Sequence, residues 1–300
     1  MRQWKGYLAI SAAALLWGVA ATVAKFFFNK NYDPLILVQM RVTISFAVLF
    51  IFFLFTNRSL LKFNVRDLPL FLTAGILGVA GSNYFYYMAI KETNVSTSIL
   101  VQYTAPIMVM VYVTVVQKEK LTLPKLSALV LSVVGIFLAI GAYDPSVLRG
   151  TEYGIGFALL AAVSFSIFNI SGKKLTHRYT VWTGLVYVFG AATLFWSFIN
   201  TPADIIQAKY SFDDWKVFGT IALISILIPY SLYYYGLHHI QSSKAIITST
   251  LEPVVAIVSE WMFLGGTMGL LQVFGAILVI GAILLLQRTS SDHEPIVVQE

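Results

Sequence analysis

The chain has 300 residues, of which 58% are hydrophobic and only 11% charged, with a formal charge of +6 and no cysteine. Soluble domains carry about 25% charged residues, so water is not the main solvent here and the surplus apolar surface must face lipid. Lacking cysteine, the chain has no disulfides, thiolate metal sites or thiol catalysis. Its basic excess is explained by loops on one membrane face, and no nucleic-acid partner is expected.

A membrane-crossing helix needs about 20 mostly apolar residues. In chain order such runs fall at 6–26, 34–56, 68–90, 94–116, 123–142, 152–172, 181–200, 215–237, 243–263 and 267–287. The first follows Arg2 and Lys5, as a signal peptide would. It is nevertheless long enough to span, carries Trp17 in its middle and has no persuasive cleavage site before the apolar run starting at Pro34, so it reads as a retained helix. Turn and breaker pairs at Asp33-Pro34, Asp144-Pro145, Thr201-Pro202 and Gly265-Gly266 separate the runs.

Ten crossings place both termini on one side of the membrane. The segments on that side contain 13 basic residues, the opposite segments 6, and Arg41 falls inside a helix. The positive-inside rule assigns the richer side, and both termini, to the cytoplasm of a cell (inner) membrane.

An internal repeat underlies the count. Tyr86-Tyr87-Met88-Ala89-Ile90 matches Tyr233-Tyr234-Tyr235-Gly236-Leu237 at a shift of 147, and the same shift pairs Ser96 with Ser243, Ile99 with Ile246, Pro106 with Pro253 and Leu123 with Leu270. A shift of 148 pairs Lys25 with Lys173 at the ends of the first and sixth helices. Tyrosine pairs and prolines are not generic apolar filler, so the matches mark a repeat. A repeat with an odd number of helices inserts upside down relative to its copy. The expected fold is an all-α integral membrane protein of ten transmembrane helices as two inverted five-helix repeats, at 1–147 and 148–287, with a cytoplasmic tail at 288–300.

Leu15-Leu16-Trp17-Gly18 in the first helix, Arg41 in the second, the Pro106 and Pro253 helices with Leu251-Glu252-Pro253-Val254, and Glu119-Lys120-Leu121-Thr122 after the fourth helix carry a family likeness. The chain resembles the EamA-domain branch of the drug/metabolite transporter superfamily, over its whole length up to about Gln287. The resemblance implies a transporter of small metabolites, in a family whose members are similar to exporters of amino acids, other metabolites and toxic compounds. One departure is Gly266, which stands where the family's second acidic turn residue is expected.

Charged groups within a span cost at least about 2.5–3.5 kcal/mol at the bilayer centre, so each needs a reason. Glu252, near the middle of the ninth helix, has two: a protonatable or cation-binding group, or a carboxyl bonded to a neighbouring helix beside Pro253. Arg41 and Glu260 have similar depth, and either snorkelling or mutual pairing accounts for them. Pro106 and Pro253 each predict a mid-span kink, read as a structural hinge or a fixed shape feature. Pro229 adds a third break, freeing a backbone bond at Ser225. Asn83 and Tyr87 share one helix face, as do Tyr230 and Tyr234, each pair being four apart. With Trp17, Gln102, Tyr103, Asn169, Thr250 and Glu252 they make a candidate substrate-binding set on six helices.

No Gly-x-x-x-x-Gly-Lys-Ser, no His-Glu-x-x-His and no serine beside an embedded histidine occurs in the chain, so neither direct ATP drive nor intramembrane hydrolysis is expected. No catalytic residue, metal or cofactor is expected. The expected function is a secondary transporter, exporting a small metabolite such as an amino acid by alternating access, with a passive channel or lipid-handling protein as the alternative. Expected partners are the small-molecule substrate, protons as an optional coupling ion, and the lipid bilayer; monomer and homodimer both stay open.

Overall fold

The protein was analysed as a computed structural model describing residues 3–28, 34–93, 95–148, 151–264 and 269–290. Among these residues there are only helices, turns and bends, and nine helices are long and apolar enough to cross a membrane. They begin with Gln3–Phe28 and Pro34–Thr56, followed by a third span at Val65–Glu92 and a fourth at Thr97–Val115. The sixth and seventh are Glu152–Arg178 and Val181–Ile199, the eighth and ninth Phe212–His239 and Ser242–Phe263, and the tenth is Leu270–Ser290. The fifth, Leu123–Ala139, has 17 residues and is also apolar. It ends where Gly141 takes φ +77°, with the Gly141 amide bonding the Leu138 carbonyl and the Ala142 amide the Phe137 carbonyl. That left-handed C-terminal motif needs glycine, because a Cβ would be strained there.

The hydropathy boundaries differ from the helices at several ends. The sixth helix runs to Arg178 rather than to 172, because Gly172, Lys173 and Lys174 continue the helix beyond the apolar window. The segment Pro202–Gln207, expected as loop, is a short helix. Thr201 caps it by accepting from the Asp204 amide, and Asp204 returns the bond to the Thr201 amide, the reciprocal arrangement that a Thr-x-x-acid sequence permits.

The halves interlock. The first helix packs on the eighth and ninth, and correspondingly the sixth packs on the third and fourth; the second lies against the seventh and the fifth against the tenth. Close approaches make the symmetry concrete. A Cβ on Gly6 would strike Ile240 and His239, while one on Gly154, at the 148 shift, would strike Thr93 and Glu92, which are the same two positions at the 147 shift. Gly18 abuts the Glu252 carbonyl, and its counterpart Ser166 donates to the Ala105 carbonyl at 3.4 Å, Ala105 being the counterpart of Glu252. Because each half crosses the membrane five times, the second copy lies upside down to the first.

Both halves break their helices at related places. The third span is π-helical over Thr73–Ala80 and the eighth over Ala222–Leu227. The fourth is interrupted at Tyr103-Thr104 and the ninth at Ser249-Thr250. Wider π turns leave carbonyls askew of their usual donors, and they concentrate at functional sites.

Candidate functional site

The π segment of the eighth span and the break in the fourth both border one cavity between the halves. It encloses about 110 Å3 and is lined by Trp17, Ala20 and Ala21 of the first helix, Arg41 of the second, and Ser82, Asn83, Tyr86 and Tyr87 of the third. Gln102 and Tyr103 of the fourth, Phe165 of the sixth, Ser225, Ile226 and Tyr230 of the eighth and Glu252 of the ninth complete the wall.

Backbone irregularities and side-chain hydrogen bonds together hold the polar groups. Pro229 has no N–H for the Ser225 carbonyl four residues earlier, and the Trp17 indole donates to that carbonyl at 3.1 Å. Thus fixed, the Trp17 ring meets Tyr230 edge-on at 5.1 Å and Tyr233 at 5.4 Å. In the π segment the Ala222 carbonyl accepts from Ser45 at 3.3 Å. The Asn83 amide donates to the Val79 carbonyl at 2.7 Å, which turns its oxygen toward the Arg41 guanidinium, its hydrogen-bond donor. A second guanidinium nitrogen donates to Ser225 Oγ at 3.4 Å, and Arg41 Nε has no partner among the described residues. Across the cavity Glu252 Oε2 accepts from the Tyr103 hydroxyl at 2.8 Å. Among the described residues no ion pair joins Arg41 to a carboxylate. One cavity thus presents a fixed cation, a carboxyl group and an aromatic wall.

Seven residues of the sequence-derived set meet on this cavity: Trp17, Asn83, Tyr87, Gln102, Tyr103, Tyr230 and Glu252. Asn169, Tyr234 and Thr250 do not line it. Asn169 is buried and donates to the Tyr233 hydroxyl at 2.6 Å; Tyr234 packs against Gly172 and Gly184; and Thr250 donates to the Ile247 carbonyl at 2.6 Å. Sequence reasoning missed Ser82, Tyr86 and Phe165, although the repeat carries a signal for two of them. Phe165 is the counterpart of Trp17 at the 148 shift, and Tyr86 that of Tyr233 at 147.

Arg41 was expected to snorkel or to pair with Glu260. Its guanidinium lines the cavity and donates to Asn83 and Ser225; the Glu260 side chain, and with it the pairing, lies outside the described residues. Pro106 and Pro253 sit in the first turns of the segments Ala105–Val115 and Leu251–Leu264. A missing N–H is harmless there, so the helices are interrupted ahead of the prolines rather than kinked at them. The interruptions are closed by hydroxyls: Thr104 donates to the Val101 carbonyl at 2.7 Å, as Thr250 does to that of Ile247.

The side bearing the termini is sealed. Tyr7, Ile10, Ala13, Tyr233, Tyr234, Leu237, Ile246 and Ile247 are no more than 1% exposed. Lys173 donates to the Leu237 and Ile240 carbonyls at 2.6 and 2.8 Å. Glu119 accepts from Ser243 Oγ at 2.5 Å and pairs with Lys125 at 3.1 Å; its counterpart Gly266 lies outside the described residues.

The crossing of the first and ninth helices depends on Gly18. A Cβ there would lie 2.6 Å from Val255 Cβ and 2.8 Å from the Glu252 carbonyl oxygen. Overpacking of this kind costs about 1–3 kcal/mol. Gly18→Ala is expected to lower the melting temperature in detergent, whereas Leu15→Ala on the exposed face of the same helix leaves it nearly unchanged. Equal melting temperatures for wild type and Gly18→Ala would show that the crossing relaxes freely.

A cavity that presents a cation and a carboxyl group on separate walls between two interlocked inverted halves fits a polytopic membrane transporter. The chain belongs to the EamA-like transporter family, whose model matches residues 4–141 and 152–288, one match in each half. It is 25% identical over 289 residues to an uncharacterized transporter of Archaeoglobus fulgidus, covering 94% of this chain and 96% of the relative. It is 22% identical to the uncharacterized inner membrane transporter YicL of Salmonella typhimurium, covering 95% and 96%. A solved crystal structure shares the fold, with a TM-score of 0.76 at 17% identity over 97% of this chain and 100% of the other.

Proposed function

We propose that the protein is a secondary transporter of a small zwitterionic metabolite, of the size and charge of an amino acid, which it exports by alternating access through the central cavity. The observation that carries this reading is the cavity with Arg41 on one wall and Glu252 on another. Holding two ionisable groups within spans is costly, and a substrate bearing both charges satisfies both at once. At about 110 Å3 the cavity has room for several waters and so for a small polar group such as the charged head of an α-amino acid. Trp17, Tyr86, Tyr87 and Tyr230 supply an apolar wall for the rest.

Direction follows from Glu252. If the carboxyl binds either a proton or the substrate's ammonium group, the two are exchanged, and an inward proton gradient drives the substrate outward. The basic excess of the terminal side supports a cytoplasmic location for both ends. The packed terminal side speaks against a continuous pore.

The test is uptake and counterflow of a radiolabelled panel of neutral, acidic and basic amino acids and simple amines in proteoliposomes, with and without a pH gradient. Saturable flux of a zwitterion, stimulated by the gradient and competed by unlabelled substrate, is the expected result. Flux rising linearly with concentration and indifferent to competitors would instead establish a passive pathway.

A further inference from the structure

The cavity is built from a pattern that occurs twice, and only one copy is open. On the far side its wall includes Ala20, Ala21, Tyr86, Tyr87, Gln102 and Tyr103. At the 148 shift for the first helix and 147 for the third and fourth, these positions become Phe168, Asn169, Tyr233, Tyr234, Ser249 and Thr250. All six counterparts are sealed: Phe168 is 1% exposed and the other five 0%. The sealed copy is nevertheless polar. Asn169 Oδ1 and the Tyr234 hydroxyl are buried without a hydrogen-bond partner among the described residues. Such groups are unfavourable in a packed interior, so their positions need a reason that packing does not supply.

We propose that Asn169, Tyr233, Tyr234 and Thr250 form a second substrate-contacting face, closed in this conformation and opened toward the terminal side when the halves exchange shapes. The proposal rests on the transporter reading and adds which groups take over the substrate. Inverted halves make the exchange geometrically available, since each can adopt the form the other has here. The Gly6 crossing at His239 and Ile240, tight now, then loosens as the Gly154 crossing at Glu92 and Thr93 tightens. In that state Asn169 exchanges its bond to Tyr233 for one to the substrate, and Tyr234 gains a partner. The two faces are chemically unequal: Asn169 stands opposite Ala21 in the repeat, and Thr250 opposite Tyr103. The terminal-side face therefore offers more hydrogen-bonding groups on its first-helix counterpart and less aromatic surface at the break, so the substrate's uncharged part is gripped differently on the two sides.

The natural lack of cysteine permits a direct test. Single Tyr234→Cys and Thr250→Cys variants are placed in vesicles of known orientation and exposed to a membrane-impermeant maleimide on one side at a time. Ser59→Cys and Ser146→Cys, both exposed, report the terminal and far sides. Minor states are populated at about 0.1–10%, so both variants are expected to react from the terminal side about 10 to 1,000 times more slowly than Ser59→Cys, and not from the far side. Tyr87→Cys is expected to react from the far side only. Thr250→Cys nearly preserves side-chain size, so it keeps the test intact if Tyr234→Cys misfolds. Reaction of Thr250→Cys from the far side, or none from the terminal side while Ser59→Cys reacts to completion, overturns the proposal. Labelling needs no substrate, so failed flux of the amino-acid panel with successful labelling overturns the zwitterion reading and leaves the alternating face in place.

Discussion

Replacing Arg41 by lysine should impair transport almost as severely as replacing it by alanine. The guanidinium donates to Asn83 and Ser225, so its fork spans two protein acceptors while it lines the cavity. A lysine ammonium is a point charge on a flexible stem and cannot reproduce that geometry. Removing one member of a buried, hydrogen-bonded charge pair costs about 2–5 kcal/mol, which at about 1.4 kcal/mol per decade is a loss of about 30- to several-thousand-fold in substrate affinity. Measured in proteoliposomes, both variants should show a large rise in KM, with little change in melting temperature for lysine. A lysine variant with wild-type KM would remove Arg41 from the binding site.

Glu252→Gln should separate binding from coupling. The glutamine oxygen can still accept the Tyr103 hydroxyl that now lies 2.8 Å from Oε2, so the ninth helix keeps its tether and the protein its fold. What disappears is the charge and the exchangeable proton. A hydrogen bond to a charged group contributes about 1.5–3 kcal/mol, so the expected rise in KM for the zwitterion is about 10- to 150-fold. Stimulation by an imposed pH gradient should vanish altogether, leaving the same flux with and without it. A glutamine variant still driven by the gradient would place the coupling proton elsewhere.

Hydropathy alone revealed the spans, because a bilayer demands long apolar runs and tolerates little else. The repeat was legible from tyrosine pairs and prolines that composition does not produce by chance. The helix interruptions were not legible. A π segment such as Thr73–Ala80 looks like any apolar helix, and whether a threonine closes a break or faces a substrate depends on the backbone it sits on. Arg41 was read through charge and depth, which identify a residue needing a partner without identifying that partner; Asn83 and Ser225 reach it across three helices. Asn169, Tyr234 and Thr250 fell outside the cavity for a different reason. On the proposed exchange of the halves they belong to the face that is closed in this conformation, and a sequence does not distinguish an open face from a closed one.

The short fifth helix ties the protein to the thickness of its membrane. Leu123–Ala139 has 17 residues, which at 1.5 Å per residue spans about 25 Å, against a hydrocarbon core of about 30 Å. It packs against the longer tenth helix where Gly135 and Gly275 meet backbone to backbone, and tilting would only shorten its projection across the membrane, so the deficit falls on the lipid. Lipid beside this pair must thin by a few ångströms, at a cost of fractions of a kcal/mol per ångström of mismatch. Acyl-chain length thereby becomes a load on the seam where the two halves join, and bilayers of different thickness should bias how readily those halves move past each other.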